Sequence, residues 1–189
     1  MRSTGRRGRG GVERPPVDLA LCRNPLDFLA EEHYRERSLC SLFDEVAETA
    51  RPDSAALTRL LVFLEMELPA HVHAEIAHFF PMLRARCPAE DEIGPVIDAV
   101  VAEHDATMGG LPELAHTLRA HLADGSACTD AERVLLHDFA AHVRRHVVIE
   151  NAILMPIARG RLSKADLSSL WTSMLEDRRT PVAARRHAC

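Results

Sequence analysis

Apolar residues recur at spacings of three and four along most of the chain, and this is the period of an amphipathic helix. The pattern covers four long stretches and a short fifth one between residues 24 and 176. No stretch shows the period-two alternation that is typical of a strand. The connections between the stretches are short. The sequence therefore predicts an all-α fold, an up-down-up-down four-helix bundle with a short fifth C-terminal helix.

The predicted helix ends depend on capping residues, glycines and prolines. The first, second, fourth and fifth helices are expected to end near residues 50, 87, 156 and 176. Inside the second helix, Pro69 predicts a kink just before His71. Inside the third, which follows Pro88, Gly109-Gly110 followed by Pro112 predicts a break or a bend. The residues that can cap the predicted helix starts are Asn24, Asp53, Thr129 and Ser163.

Each long helix carries a histidine on its predicted buried face: His33, His71, His104 and His146. Two of the helices add a glutamate four residues later, Glu75 and Glu150, and in both motifs a proline stands ten residues after the histidine. A spacing of four places the ring nitrogen and the carboxylate on one helix face, about one turn apart. A carboxylate has two oxygens, so it can bridge two metal ions held roughly 3.5–4 Å apart.

These inward polar residues favour a metal site over a core of hydrogen-bonded histidines. A single inward histidine is more often a satisfied core residue. Burying four histidines and two glutamates without partners, however, would cost roughly 1–3 kcal/mol for each group. A whole domain is stable by only about 5–15 kcal/mol. A pair of metal ions would satisfy all six groups. Glu32 and Glu103, which directly precede two of the histidines, are expected to face solvent.

The segment 24–156 resembles the hemerythrin-like, HHE cation-binding domain family. The resemblance rests on EEH ending at His33, HVHAEIAHFFP from His71, EH ending at His104 and HVVIENAILMP from His146. It implies a non-haem di-iron centre, bridged by carboxylates and by an oxo or hydroxo group, that can bind oxygen. It also implies four terminal histidine ligands and two bridging glutamates. The implied metal ligands are His33, His71, Glu75, His104, His146 and Glu150.

The chain departs from the family pattern at two points. Ile76 and Asn151 follow the motif glutamates, where many members have a second glutamate. Oxygen-carrying hemerythrins also use a fifth histidine. Here His142 is the candidate, with a core or supporting role as its alternative, while His73 and His78 are weaker candidates. About two coordination positions stay open, or one if His142 binds.

Open positions beside a reducible metal pair suit a small gaseous or peroxide ligand. The expected function is therefore oxygen binding or sensing, or iron and redox handling, rather than a dedicated enzyme activity. Two iron ions are expected, ahead of manganese or zinc. One alternative is a ferritin-like di-iron oxidase, whose motif Glu75-x-x-His78 and Glu113-x-x-His116 formally match. Another is a metal-dependent regulatory module that signals through the fifth helix or the arginine-rich tails.

Composition and charge indicate the number of domains, the kinds of partner and the location of the protein. A length of 189 residues with 47% hydrophobic residues fits one domain, and a net charge of −5 argues against a nucleic-acid or membrane partner. Five scattered cysteines and no secretory segment suit a cytoplasmic protein. Residues 1–21 are predicted to be a disordered basic tail, 22–178 the hemerythrin-like bundle and 179–189 a frayed tail. The sequence leaves the identity of any protein partner unknown.

Overall fold

The computed structural model describes residues 16–17, 22 and 24–179 of the chain. Within these ranges all regular secondary structure is helical, which confirms the predicted all-α class. None of the helices described there is long and apolar enough to cross a membrane. The tail predicted at 1–21 lies outside the described residues except for Pro16 and Val17. The tail predicted at 179–189 is described only at Arg179.

Five helical stretches, α1 to α5, make up the described chain. Helix α1 spans Pro25–Glu48, and α3 spans Ile93–Asp124 after a 3-10 turn at Ala89–Asp91. Helix α2 covers 54–86 and includes two π-helical segments; its parts are Ser54–Val62, Phe63–Glu67 (π), Leu68–Ala74, Glu75–Phe79 (π) and Phe80–Arg86. Helix α4 covers 130–161 as Asp130–Ile149, Glu150–Leu154 (π) and Met155–Arg161. Helix α5 spans Lys164–Arg179.

Side-chain caps define most of the helix starts. The Asn24 side chain accepts a hydrogen bond from the Leu26 N–H at 2.9 Å, and Pro25 follows it at the first helical position. Thr129 opens α4 with a complete capping box, and the Ser163 hydroxyl caps α5. Asp53 stands at the start of α2, but its side chain makes no capping hydrogen bond. The predicted helix starts are therefore confirmed. Only Asp53 differs, because it stands at the cap position without making the capping hydrogen bond.

Each π segment ends two residues before a proline, at Pro69, Pro81 and Pro156. Proline has no N–H, and its ring crowds the carbonyl of the fourth residue before it. A wider turn in front of the proline relieves this crowding, and the extra residue is taken up as a π bulge. The irregularity predicted at Pro69 thus takes the form of a π turn.

Helix α3 is continuous across the predicted break. Pro112 lies inside the helix, and the chain stays α-helical through Gly109 and Gly110. Leu111 and Leu114, on either side of the proline, are buried in the core. Their packing outweighs the low helix propensity of the glycines and the proline, so a break is wrong, and a bend stays a prediction.

The buried faces of α1, α2 and α3 contain the residues that the periodicity predicts. Helix α4 departs from the α-helical period at its end: the period would bury Ile153, three residues after Glu150, but Ile153 is 39% exposed and Leu154 is fully buried instead. The π turn that begins at Glu150 adds one residue, so the buried face moves on by one position.

A polar layer separates two apolar clusters along the helices. On α1, His33 lies between Leu29 of one cluster and Leu39 of the other, and α3 repeats this arrangement around His104. Helix α1 packs mainly against α4, and α2 against α3. Helix α5 lies against α1 and the second π segment of α2. The fold therefore places the inward histidines in the middle of the protein rather than at an end.

Candidate metal centre

The six residues predicted from the motifs converge in the polar layer, and all are buried. They form two overlapping sets of four, and within each set one donor atom per residue lies within 4.8 Å of every other. Glu75 and Glu150 belong to both sets. The first set adds His33 and His71, and the second adds His104 and His146.

The Glu150 carboxylate reaches both pairs of histidines. Its Oε2 lies 3.1 Å from Nε2 of His33, and its Oε1 lies 3.1 Å from Nε2 of His146. The Oε1 atom is also 3.9 Å from Nε2 of His104. One oxygen therefore faces each set, as a bridging carboxylate requires.

The Glu75 carboxylate repeats this arrangement on the opposite side. Its Oε1 lies 3.6 Å from Nε2 of His33, and its Oε2 lies 3.4 Å from Nε2 of His71. The same Oε2 is 3.4 Å from Nε2 of His104. Each of these glutamates is also the first residue of a π segment, a local feature that the periodicity did not predict.

The outer nitrogens of three histidines are held by hydrogen bonds. Nδ1 of His71 donates to Glu32 at 3.1 Å, and Nδ1 of His146 donates to Glu103 at 2.9 Å. The expectation that these two glutamates face solvent is wrong for Glu32, which is buried, whereas the Glu103 side chain is 36% exposed while it contacts His146. Nδ1 of His33 donates to Oδ1 of Asn151 at 3.0 Å. A proton on Nδ1 leaves the Nε2 lone pair aimed into the centre, and this is how metal-bound histidines are commonly oriented.

The Glu-His pairs show that adjacent residues of a helix need not divide a buried face from a solvent-exposed one. In fact the residue before each histidine points toward the neighbouring helix. The Glu32-His33 pair of α1 supports a histidine of α2, and Glu103-His104 of α3 supports one of α4. The repeated dipeptide was the signal available in the sequence.

The hydrogen bonds around the two donor sets differ at one place. Asn151, directly after Glu150, holds His33. The corresponding residue after Glu75 is Ile76, which has no hydrogen-bonding side chain. Among the described residues, Nδ1 of His104 finds no hydrogen-bond partner. The two sets therefore have the same kinds of donor atoms. They differ in the hydrogen bonds that hold the outer nitrogens of their histidines.

Burial and neighbouring charges shift the pKa values of the histidines and carboxylates in the buried layer. Burial lowers the pKa of His71 and His146, but neighbouring carboxylates outweigh it and raise these pKa values to about 10 and about 9. The pKa of His33 is raised well above its usual value in the same way. Burial and the nearby Glu150 raise the pKa of Glu75 to about 7. His104 is the exception, since burial and the neighbouring His146 lower its pKa to about 3.

Several buried nitrogen and oxygen atoms of these residues lack hydrogen-bond partners, and this shows whether a metal would fit among them. Nε2 of His33, His71 and His146 and all four oxygens of Glu75 and Glu150 have no hydrogen-bond partner in the described part of the chain. A buried polar group left in this state costs roughly 1–3 kcal/mol. All of these atoms face one another across the centre, and nitrogen and oxygen donors in this number match a pair of transition-metal ions. The residues fit such a pair.

A family model, the hemerythrin HHE cation-binding domain, matches residues 24–158. The chain belongs to this family. No curated protein and no solved structure was found to match the chain. The matched range contains all six converging residues of the HHE domain and ends before α5. The resemblance inferred from the motifs is confirmed.

The HHE domain also contains a buried carboxylate that the motif analysis missed. Glu36 on α1 has a side chain only 5% exposed, and its Oε1 lies 3.4 Å from Nε2 of His71. Burial raises the pKa of Glu36, although the nearby His71 opposes this effect. Glu36 stands three residues after His33 and four before Cys40, so it continues the predicted buried face of α1. That spacing was the signal that could have revealed it.

His142 lies one turn before His146 and borders the centre without joining either set. The two rings stack with centroids 6.4 Å apart. Nε2 of His142 is buried and has no hydrogen-bond partner among the residues described. It lines a small cavity of about 10 Å³ that borders both donor sets, because His71 and Glu36 line it as well as His104 and His146. This is about the space that one water-sized molecule needs.

The remaining histidine candidates lie away from the centre of the HHE domain. His73 and His78 are partly exposed, and their Nε2 atoms contact Oδ2 of Asp177 on α5 at 3.1 and 2.6 Å. His116 is exposed on α3, as is Glu113. The Glu-x-x-His pairs of a ferritin-like site are therefore not brought together, which removes the geometric basis of that alternative.

Proposed function

We propose that this HHE domain holds two iron ions between four helices that run up-down-up-down, and that the iron pair binds a small ligand such as oxygen, peroxide or nitric oxide. One ion would be held by His33 and His71, the other by His104 and His146. Glu75 and Glu150 would bridge the two. The observation that carries the proposal is the sharing of these carboxylates between the two donor sets.

The chain's own residues hold and orient the proposed centre. Glu32, Glu103 and Asn151 fix three of the rings through their outer nitrogens. The two apolar clusters on either side of the polar layer exclude bulk water. An iron pair would supply Lewis-acid and redox chemistry in this enclosed space.

The size of the cavity supports a diatomic or similarly small ligand. The space between His71, His104 and His146 accommodates about one water-sized molecule. A larger organic substrate would need the helices to separate. We therefore favour ligand binding, for oxygen binding or redox handling, over turnover of a bulky substrate. We also propose a cytoplasmic location, since the five cysteines are scattered along the sequence and odd in number, a pattern that suits reduced thiols.

Metal analysis and absorbance of the aerobically purified protein test the proposal. We expect two irons per chain and the near-ultraviolet absorbance of a ferric pair. Glu75→Ala and Glu150→Ala should each lose iron, whereas Glu113→Ala, at an exposed position of α3, should keep it. A colourless protein with two zinc ions per chain would contradict the di-iron proposal. Full retention of both irons by Glu75→Ala would contradict the bridging assignment.

A sensing role is the second candidate, because the centre is connected to α5 by direct contacts. Arg178 of α5 donates to Oε1 of Glu32 at 2.6 Å, and Oε2 of Glu32 accepts from His71. The Arg178 guanidinium also lies 4.4 Å from the centroid of the Phe28 ring. A change at the metal held by His71 could therefore alter how α5 packs.

Hydrogen exchange of α5 tests this second candidate. In the iron-loaded protein, amide exchange in α5 should change when nitric oxide is added, and Arg178→Ala should abolish the change. Arg159→Ala is the matched control, because Arg159 forms an exposed ion pair with Asp27 away from the centre. Equal exchange with and without ligand in the wild-type protein would exclude the sensing role.

A further inference from the structure

We infer that the chain has a further metal site at its surface, in which His73 and His78 of α2 and Asp177 of α5 hold one divalent transition-metal ion such as zinc. This surface site shares no ligand with the buried centre. It uses two histidines that the proposed iron pair leaves unused. The inference therefore does not depend on which metal fills the centre.

The three side chains bring one donor atom each to the same place. These donor atoms lie within 4.8 Å of one another. Nε2 of His73 is 3.1 Å from Oδ2 of Asp177, and Nε2 of His78 is 2.6 Å from the same oxygen. Donors of a tetrahedral ion with bonds of about 2.0–2.1 Å lie roughly 3.3 Å apart, so a shift of the carboxylate by about 0.5 Å makes room for the ion.

The types of donor select the kind of ion. Two imidazole nitrogens and one carboxylate oxygen suit zinc and related transition metals, whereas magnesium and calcium prefer oxygen donors alone. All three side chains are partly exposed, so water can supply the remaining ligand. An ion can also reach the surface site directly from solvent, without any separation of the helices.

The second π segment of α2 brings the two histidines together. Five residues of a regular α-helix turn through about 500°, which would leave the two side chains roughly 140° apart. The π segment Glu75–Phe79 lies between Ala74 and Phe80 and turns the chain less per residue. The ring centroids of His73 and His78 are consequently only 5.9 Å apart.

The duplicated motif shows that the fold does not require histidines at these positions. Two and seven residues after its first histidine, the first motif has His73 and His78. At the same places the second motif has Val148 and Ile153, which are both exposed. Helix α5 packs against the first motif and supplies Asp177 there. The imidazoles thus occur where a carboxylate of another helix faces them.

An ion at the surface site would tie the end of α5 to α2. Asp177 lies in the last turn of α5, whereas both histidines belong to α2. An ion that binds only when the two helices are in contact stabilises that contact. Zinc should therefore reduce the opening of the end of α5.

Calorimetric titration of the purified protein with zinc tests the inference. The wild-type chain should bind one zinc more than the double variant His73→Val/His78→Ile, which carries the residues of the second motif. Each single substitution should weaken this step roughly tenfold or more, since even a group that only supports a ligand contributes about 10–100-fold. His116→Ala, at an exposed position of α3, is the matched control and should bind zinc as the wild type does. Equal zinc binding by the wild type and the double variant would overturn the inference.

Hydrogen exchange shows where the additional ion binds. Zinc should slow amide exchange at the end of α5 in the wild type and in His116→Ala, but not in Asp177→Asn, because a neutral amide is a poor ligand for zinc. The same protection in Asp177→Asn would mean that the ion is held elsewhere and would overturn the assignment.

The metal content of the variants separates the surface site from the buried centre. The double variant His73→Val/His78→Ile should be purified with as much iron as the wild type, because neither histidine belongs to the buried donor sets. Loss of iron together with the additional zinc would show that these histidines serve the buried centre, and would overturn the proposal of a separate site.

Discussion

The Glu32 carboxylate lies 3.1 Å from Nδ1 of His71, on the side of the ring that faces away from the proposed metals. The residue next to one proposed ligand in the sequence therefore orients another ligand on the neighbouring helix. Glu103 has the same relationship to His146. The centre is built from pairs of helices that support each other, rather than from four independent ligands.

Removal of such a support should weaken metal binding without removing a ligand. We expect Glu32→Ala to lower metal affinity about 10–100-fold, because the His71 ring loses the contact that fixes its orientation. Competition with a chromophoric chelator measures the affinity. The exposed Glu113→Ala serves as the control. Wild-type affinity in Glu32→Ala would show that the helix backbone alone orients the ring.

Asn151 should contribute to one metal position only. In Asn151→Ile, the side chain found at the equivalent position 76 replaces the partner of His33. We expect one of the two metal-binding steps to weaken by about tenfold while the other stays unchanged. Calorimetric titration with zinc, a redox-inert probe, resolves the two steps. Equal weakening of both steps would mean that the positions are not independently supported.

Metal binding should release protons and should weaken as the pH falls. The pKa values of His71 and His146 are raised to about 10 and about 9, and that of His33 is also raised, so these rings are protonated at neutral pH in the metal-free chain. A metal needs the neutral ring and the ionised carboxylate, so we expect about three protons from the rings and a further fraction of a proton from Glu75, whose pKa is about 7. Zinc titrations in buffers of different protonation enthalpy count these protons. An affinity independent of pH between about 6 and about 8 would contradict the protonated state.

The attachment of α5 should depend on the ionised form of Asp166. Contacts with Arg86 and Ser163 hold the pKa of Asp166 well below its usual value. A carboxyl group with a lower pKa in the folded chain stabilises the fold above its unfolded pKa of about 3.9 and loses that contribution as the pH falls below it. Asp166→Asn should therefore lower Tm at neutral pH, with a smaller difference in acid. A deficit that is constant from neutral to acid pH would show that charge is not the cause.

Much of the architecture follows from periodicity and capping. The inward positions of α1, α2 and α3 and all six converging residues could be predicted, because burial of an amphipathic helix places every third or fourth residue toward the core. Glu36 could have been predicted by the same reasoning, since it continues the buried face between His33 and Cys40.

Other features depend on tertiary contacts that the periodicity does not contain. The position of Glu32 depends on how closely α1 and α2 approach, and the sequence of one helix does not specify this. The continuity of α3 through Pro112 depends on the packing of its leucines. The π turns shift the buried face of α4 by one residue, so Leu154 rather than Ile153 is inside.

The π turn of α4 has a consequence for changes in chain length. Each residue of a regular helix advances the helix by about 100°, so deleting one residue between Glu150 and Pro156 could restore an ordinary α-helical turn without breaking the helix. Everything before the deletion, including Glu150, would keep its place. Leu154, Met155 and Ala158, which are buried now, would keep facing the core, because the deletion removes the residue that the π turn absorbs. The single surplus residue thus lets a face set by metal ligands and a face set by apolar packing coexist on one helix, although the two are out of phase.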